Sequence, residues 1–226
     1  MLQPAQGGAA QPAHPATGTA TATAAATASA WVQSWSHLVA PAARVLDVAC
    51  GSGRHVRWFV QHGCHVTGVD RDPAAQALTR GLSDRTEIVI ADIESGPWPL
   101  EGRRFDAVIV TNYLWRALLP TLVASVELGG VLIYETFAAG NESVGKPSNP
   151  AFLLGSGELL AAVATLRVVA FEDGFEPAGH HGAARFVQRI VAVREAVDSS
   201  PPPRHHLPLP ATQSPQVKSV DSKGLA

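Results

Sequence analysis

The stretch RVLDVACGSGRHVRWFV, residues 44–60, decides how this chain is read. It opens as a short apolar run, RVLDVA (44–49), breaks at Gly51-Ser52-Gly53, and resumes as GRHVRWFVQHG (53–63) with helical spacing. An apolar run of this length bounded by turn residues reads as a buried strand, and the following pattern reads as a helix ending at Gly63. The unit is therefore strand, tight glycine turn, helix. Such a turn lets backbone approach a ligand closely while the first helical amides offer donors.

The same alternation continues on the C-terminal side. HVTGVD (65–70) is a strand and PAAQALTRGL (73–82) a helix, with Pro73 suited to a first turn. TEIVIAD (86–92) and FDAVIVTN (105–112) are strands, and YLWRALLPTLVASV (113–126) is a helix with a kink expected at Pro120. GGVLIYETF (129–137) is a strand, the loop 138–150 is polar, and 152–164 is partly helical. Runs 166–176 and 184–194 follow with only a loop between them, so they form an antiparallel pair. Strand–helix alternation implies parallel pairing with right-handed crossovers, hence a doubly wound, Rossmann-like α/β sheet. In N-terminal WVQSWSHLV, Trp31 and Trp35 form an i, i+4 packing stripe of a helix.

One folded unit, 30–195, accounts for the length. Residues 1–29 are mostly Ala, Thr, Gly, Pro and Gln with almost no large apolar side chain, and 196–226 are rich in Pro and Ser. Neither can offset its ordering entropy by burial, so both are expected to be disordered. The formal net charge is −2, which argues against nucleic acid and anionic membranes as partners. No apolar run reaches the roughly 18 residues of a membrane span, and the first thirty residues lack the basic start of a targeting signal, so a cytoplasmic location is expected. Cys50 and Cys64 are expected to be reduced thiols. HGCH (62–65) straddles a helix end and a strand start, which makes a metal site there unexpected.

Three ligands compete for the glycine turn. A triphosphate loop needs a Lys after its glycines, and none follows. A dinucleotide fingerprint needs a third glycine, where this chain has Val56. Asp47, four residues before Gly51, would repel a pyrophosphate but attract an ammonium group, directly or through water. The turn thus favours a nucleoside with a cationic amino-acid end over a nicotinamide dinucleotide.

VLDVACGSG resembles motif I of the class I S-adenosylmethionine-dependent methyltransferases, with Ala49 where that family usually has glycine. VLDVACGSGRH and YETF together resemble the small bacterial tellurite-resistance-type methyltransferases within that class. The resemblance implies S-adenosylmethionine as cofactor and a seven-stranded sheet of order 3-2-1-4-5-7-6 with strand 7 antiparallel. It places cofactor contacts at Asp47, Ala49, Cys50, Gly51, Ser52 and Gly53. Asp70, with Arg71, ends the second strand, where an acid accepts from ribose hydroxyls. Asp92 and Ile93 follow the third strand, where the family contacts adenine, and Thr111 and Asn112 end the fourth.

The acceptor is expected beyond strands four and five, since ligands in open α/β sheets lie past the carboxyl ends of the strands. Tyr113, Glu135, and His180 and His181 in the last hairpin loop are the candidates for lining the methyl pocket or serving as a base. The Asn112-Tyr113 pair lacks the prolines of nucleic-acid amino methyltransferases, so a small-molecule acceptor is expected first and a protein side chain second. A nicotinamide-dependent oxidoreductase and a non-catalytic cofactor-binding module are the competing readings.

Overall fold

The structure is a computed structural model and describes residues 27–179, 182–196 and 200–208. Most of the leader 1–29 and much of the tail 196–226, both expected to be disordered, lie outside the described residues. Seven strands form one sheet: β1 (Arg44–Val48), β2 (His65–Asp70), β3 (Thr86–Ile90), β4 (Phe105–Thr111), β5 (Val126–Phe137), β6 (Arg167–Glu176) and β7 (Arg185–Val193). Their order is β3-β2-β1-β4-β5-β7-β6, as the resemblance implied. β1 to β5 pair in parallel, and β7 runs antiparallel to both β5 and β6.

Both faces of the central strands are buried, which explains why they read as continuous apolar runs rather than alternating ones. One face collects Val45, Ala107, Ile109, Val131, Ile133 and Val191 under α1 (Ala30–Trp35), α2 (Arg54–Gln61) and α3 (Ala74–Thr79). Val32, Trp35, Val56 and Phe59 supply the helical side of that core. The opposite face carries Leu46, Val108, Val110, Leu132, Tyr134 and Ile190 under α4 (Leu119–Ala124) and α5 (Glu158–Ala162). The helix expected from the tryptophan stripe is α1, and Ser29 caps it by accepting from the Val32 amide.

Several elements are shorter than their periodicity suggests. The helix expected over 113–126 becomes a 3-10 turn at Arg116–Leu118 followed by α4, with Pro120 in its first turn, where its missing amide costs nothing. β5 begins at Val126 rather than 129, because Gly129 (φ 80°) and Gly130 carry an irregularity in its register with β4. A Cβ on Gly130 would lie 2.9 Å from two backbone oxygens, so only glycine passes there. The segment 152–164 splits at Gly155 and Gly157 into a 3-10 turn, Pro150–Phe152, and the short α5.

The long connection from β5 to α5 is held by side chains rather than by regular structure. Arg116 Nε donates to Glu158 Oε1 at 2.7 Å and Nη2 to Glu158 Oε2 at 3.0 Å. The same guanidinium donates to the Ala151 and Leu153 carbonyls, both at 2.7 Å. Asn141, buried, donates to the Pro147 carbonyl and accepts from the Phe186 amide. Of the tail, His205 Nε2 lies 2.7 Å from Glu195 Oε1, and His37 Nε2 lies 2.8 Å from the His206 carbonyl.

Arg116→Ala would leave two backbone carbonyls and a half-buried carboxylate without their donor. We expect a loss of about 2–4 kcal/mol, read as a lower urea midpoint with faster proteolysis within 138–157. An unchanged midpoint would show that other contacts, such as those of Asn141 and of Gln188 with the Gly155 carbonyl, hold the loop.

Candidate functional site

The turn after β1 is built from residues in left-handed conformation. Ala49 (φ 52°), Gly51 (φ 51°) and Gly53 (φ 73°) alternate with Cys50 and Ser52 between β1 and the start of α2. Ala49 adopts that conformation at a cost of about 1–2 kcal/mol, so the alanine is tolerated rather than favoured. The two glycines do different things. A Cβ on Gly51 would meet open space, whereas one on Gly53 would stand 2.4 Å from Thr79 Cγ2. Gly53 therefore packs α3 against the turn, and Gly51 leaves room at the cavity.

Asp70, at the end of β2, closes the turn: Oδ2 accepts from the Gly51 amide at 2.7 Å and Oδ1 from the Asp72 amide at 2.9 Å. Each oxygen keeps a lone pair for further donors. Beyond β3, Asp92 Oδ1 accepts from the Glu94 and Ser95 amides, which hold its carboxyl below the usual range.

These groups surround a cavity of about 250 Å³ at the carboxyl ends of the strands. Ala49, Cys50, Gly51 and Ser52 form one wall, Asp70 and Arg71 a second, and Asp92, Ile93 and Glu94 a third. Thr111, Asn112 and Tyr113 close it from β4. Asn112 is itself left-handed (φ 53°), and its amide donates to the Glu135 carbonyl, which fixes the chain direction after the strand. Tyr113 is buried, and burial pushes its phenol well up, so the hydroxyl stays protonated. Tyr134 pins it by donating to the Tyr113 carbonyl at 2.8 Å.

Two expected cofactor contacts, Gly53 and Asp47, and one acceptor-site candidate, Glu135, sit elsewhere. Gly53 packs under Thr79. Asp47 does not line the cavity: it lies beneath it, 1% exposed, with Oδ1 3.9 Å from His55 Nδ1. Its Oδ2 is buried with no hydrogen-bond partner among the described residues. Burial pushes the Asp47 carboxyl up to about 7, against the pull of the nearby Arg54 charge. Glu135, also absent from the cavity wall, is 2% exposed and accepts from Arg189 Nε at 3.0 Å. Arg189 donates to Glu172 and Glu176 as well, so Glu135 belongs to an ion-pair network joining β5, β7 and β6. His180 and His181 lie outside the described residues.

The sequence reading missed Ala91 and Glu94 of the wall, and also Arg54 and His55. Arg54 Nη2 donates to Thr111 Oγ1 at 3.2 Å and supplies a cation beside the turn. The signal for Arg54 and His55 was present in GSGRH, since the first helical positions after such a turn face the ligand.

The architecture defines the class: it is the class I methyltransferase fold, which solved structures of similar architecture share. TehB from Haemophilus influenzae superposes with a TM-score of 0.58 at 17% identity, covering 73% of this chain and 61% of that one. The glycopeptide N-methyltransferase MtfA complexed with S-adenosyl-L-methionine superposes at 0.51 and 18% identity, covering 74% and 94%. More particularly, residues 45–127 match the family model for a methyltransferase domain. The malonyl-[acyl-carrier protein] O-methyltransferase of Enterobacter lignolyticus is 34% identical over 110 residues, 43% of this chain and 40% of that protein. The chain spans about two fifths of the length of the curated relatives it matches in this way. No helix among the described residues is long and apolar enough to cross a membrane.

The Asp47–His55 pair has a pH signature. Burial, then the Arg54 charge, pushes the His55 imidazole down to about 3. From about pH 4 to 6.5 the folded pair holds its proton on Asp47, and the unfolded chain holds it on the histidine. Equal proton counts give no slope. Asp47→Asn removes the aspartate's half, so the unfolded chain binds the extra proton and stability should fall as pH drops from about 6.5 toward 4, by up to ~1.4 kcal/mol per unit. Urea unfolding at several pH values reads this directly. Parallel profiles for the variant and the parent would place the titration elsewhere.

Proposed function

We propose that this chain is an S-adenosylmethionine-dependent methyltransferase acting on a small-molecule acceptor. The observation that carries the reading is the cavity itself: an acid-closed glycine turn at the carboxyl end of β1, with no lysine and no third glycine to hold phosphates. The residues suit the cofactor. Asp70 has lone pairs for ribose hydroxyls, Asp92 and the Ile93 amide suit adenine, and Arg54 suits a carboxylate. Asp47, held under the turn with an unsatisfied oxygen, assists through Arg54 and His55 or through water.

When bound, the cofactor supplies an electrophilic methyl on a positively charged sulfur. The chain's part is alignment, because the leaving group departs neutral and needs no acid. Among the described lining residues, neutral His55 is too weak a base, and Tyr113 keeps its proton. Thr111, Asn112 and Tyr113 orient the acceptor from the end of β4. A group borne on a carrier protein is the second reading, favoured by the carrier-protein substrate named for the relative from E. lignolyticus.

Isothermal titration should show S-adenosylmethionine binding that sinefungin competes away, with no affinity for NAD(H). Asp70→Ala should weaken that binding by roughly 1–3 kcal/mol with the fold retained. Labelled-methyl transfer to fractionated lysate then separates an enzyme from a silent binding module. Tight NAD(H) binding would overturn the proposal, and so would cofactor binding with transfer to no fraction.

A further inference from the structure

His55 stands in the first turn of α2, 2% exposed, between three elements. From the N-terminal side, the Ser29 amide donates to its Nε2 at 3.2 Å. A ring nitrogen that accepts carries no proton, so the neutral ring bears its hydrogen on Nδ1. That nitrogen lies 3.5 Å from Thr111 Oγ1 on β4 and 3.9 Å from Asp47 Oδ1 on β1. The second distance exceeds a hydrogen bond, which leaves Thr111 as the recipient.

Thr111 Oγ1 also accepts from Arg54 Nη2. A hydroxyl has two acceptor sites and one donor. With both acceptor sites occupied, what Thr111 can still offer is its own proton, and Thr111 lines the cavity. The charged groups around the ring are Asp47 from β1 and Arg54 from α2, and Ser29 contributes only backbone. A histidine serving the core alone would need neither a fixed tautomer nor a polar partner on the cavity wall.

We infer that His55 is a positioning residue: its Nδ1–H and Arg54 together set the Thr111 hydroxyl as a donor toward the bound ligand, while its Nε2 ties Ser29 and the start of α1 to the same site. The inference rests on the proposed binding of S-adenosylmethionine. It makes the seating of α1 and the donor at the end of β4 two consequences of one ring.

The two nitrogens can be separated by substitution. Asparagine offers an amide near the place of Nδ1, and glutamine reaches the place of Nε2. His55→Ala should weaken S-adenosylhomocysteine binding about tenfold, His55→Asn should recover most of that loss, and His55→Gln should not. Thr111→Val, which keeps the volume and removes the hydroxyl, should match the alanine variant and covers the case in which a His55 variant does not fold. Nitrogen-15 NMR of the parent, without cofactor, should show a neutral His55 protonated on Nδ1. A ring protonated on Nε2 overturns the inference alone, as does equal affinity in the asparagine and glutamine variants. A parent chain that binds no S-adenosylhomocysteine overturns the proposed function, and with it the ligand half of the inference.

Discussion

The bond from the Gly51 amide to Asp70 Oδ2, 2.7 Å long, is the contact on which the site depends. It joins the turn after β1 to the tip of β2, so two neighbouring parallel strands end at one place. Three residues of that turn sit in left-handed conformation, and one of them is an alanine. Strain of that kind persists only where surrounding structure over-determines it. The Cys50 amide, held by the Val69 carbonyl at 3.0 Å, and the Asp70 carboxylate do so here.

Above this turn the wall is polar, and below it the polar groups are buried and incompletely satisfied. Asp47 and Glu135 both face the α1–α2 side of the sheet near its carboxyl end, and each keeps one oxygen without a partner among the described residues. Buried groups of this kind are costly unless something nearby uses them. Glu135 is compensated by Arg189, itself shared among three glutamates. Burial pushes the Asp47 carboxyl up, and the Arg54 charge and the Val56 amide only partly offset it. The Asp47–His55 pair divides a single proton between an acid that keeps it and a base that refuses it.

The acidic expectations for Asp47 and Glu135 show where linear reading stops. Both residues occupy the positions in the strands that were anticipated, at the correct end of the sheet. What no spacing conveys is that Asp47 lies beneath the turn, or that Glu135 finds an arginine 54 residues later on an antiparallel strand. Gly51 and Gly53 look equivalent in GSG, yet one borders open space and the other borders Thr79. The helix expected over 113–126 was also overread: it is a 3-10 turn, Arg116–Leu118, followed by α4, which ends at Ala124 where the chain enters β5.

The parallel core and the antiparallel ending were legible because apolar runs, glycine punctuation and connection lengths are local quantities, whereas the strand order was implied only by the resemblance of VLDVACGSG to motif I. The location of the ligand was legible too, since a doubly wound sheet leaves one crevice at the carboxyl ends of its strands. The roles of Arg54 and His55 were decided by tertiary structure alone. Their partners, Thr111 on β4 and Ser29 ahead of α1, lie 57 and 26 residues away. Only the folding of both segments onto one face of the sheet brings those atoms within hydrogen-bonding distance.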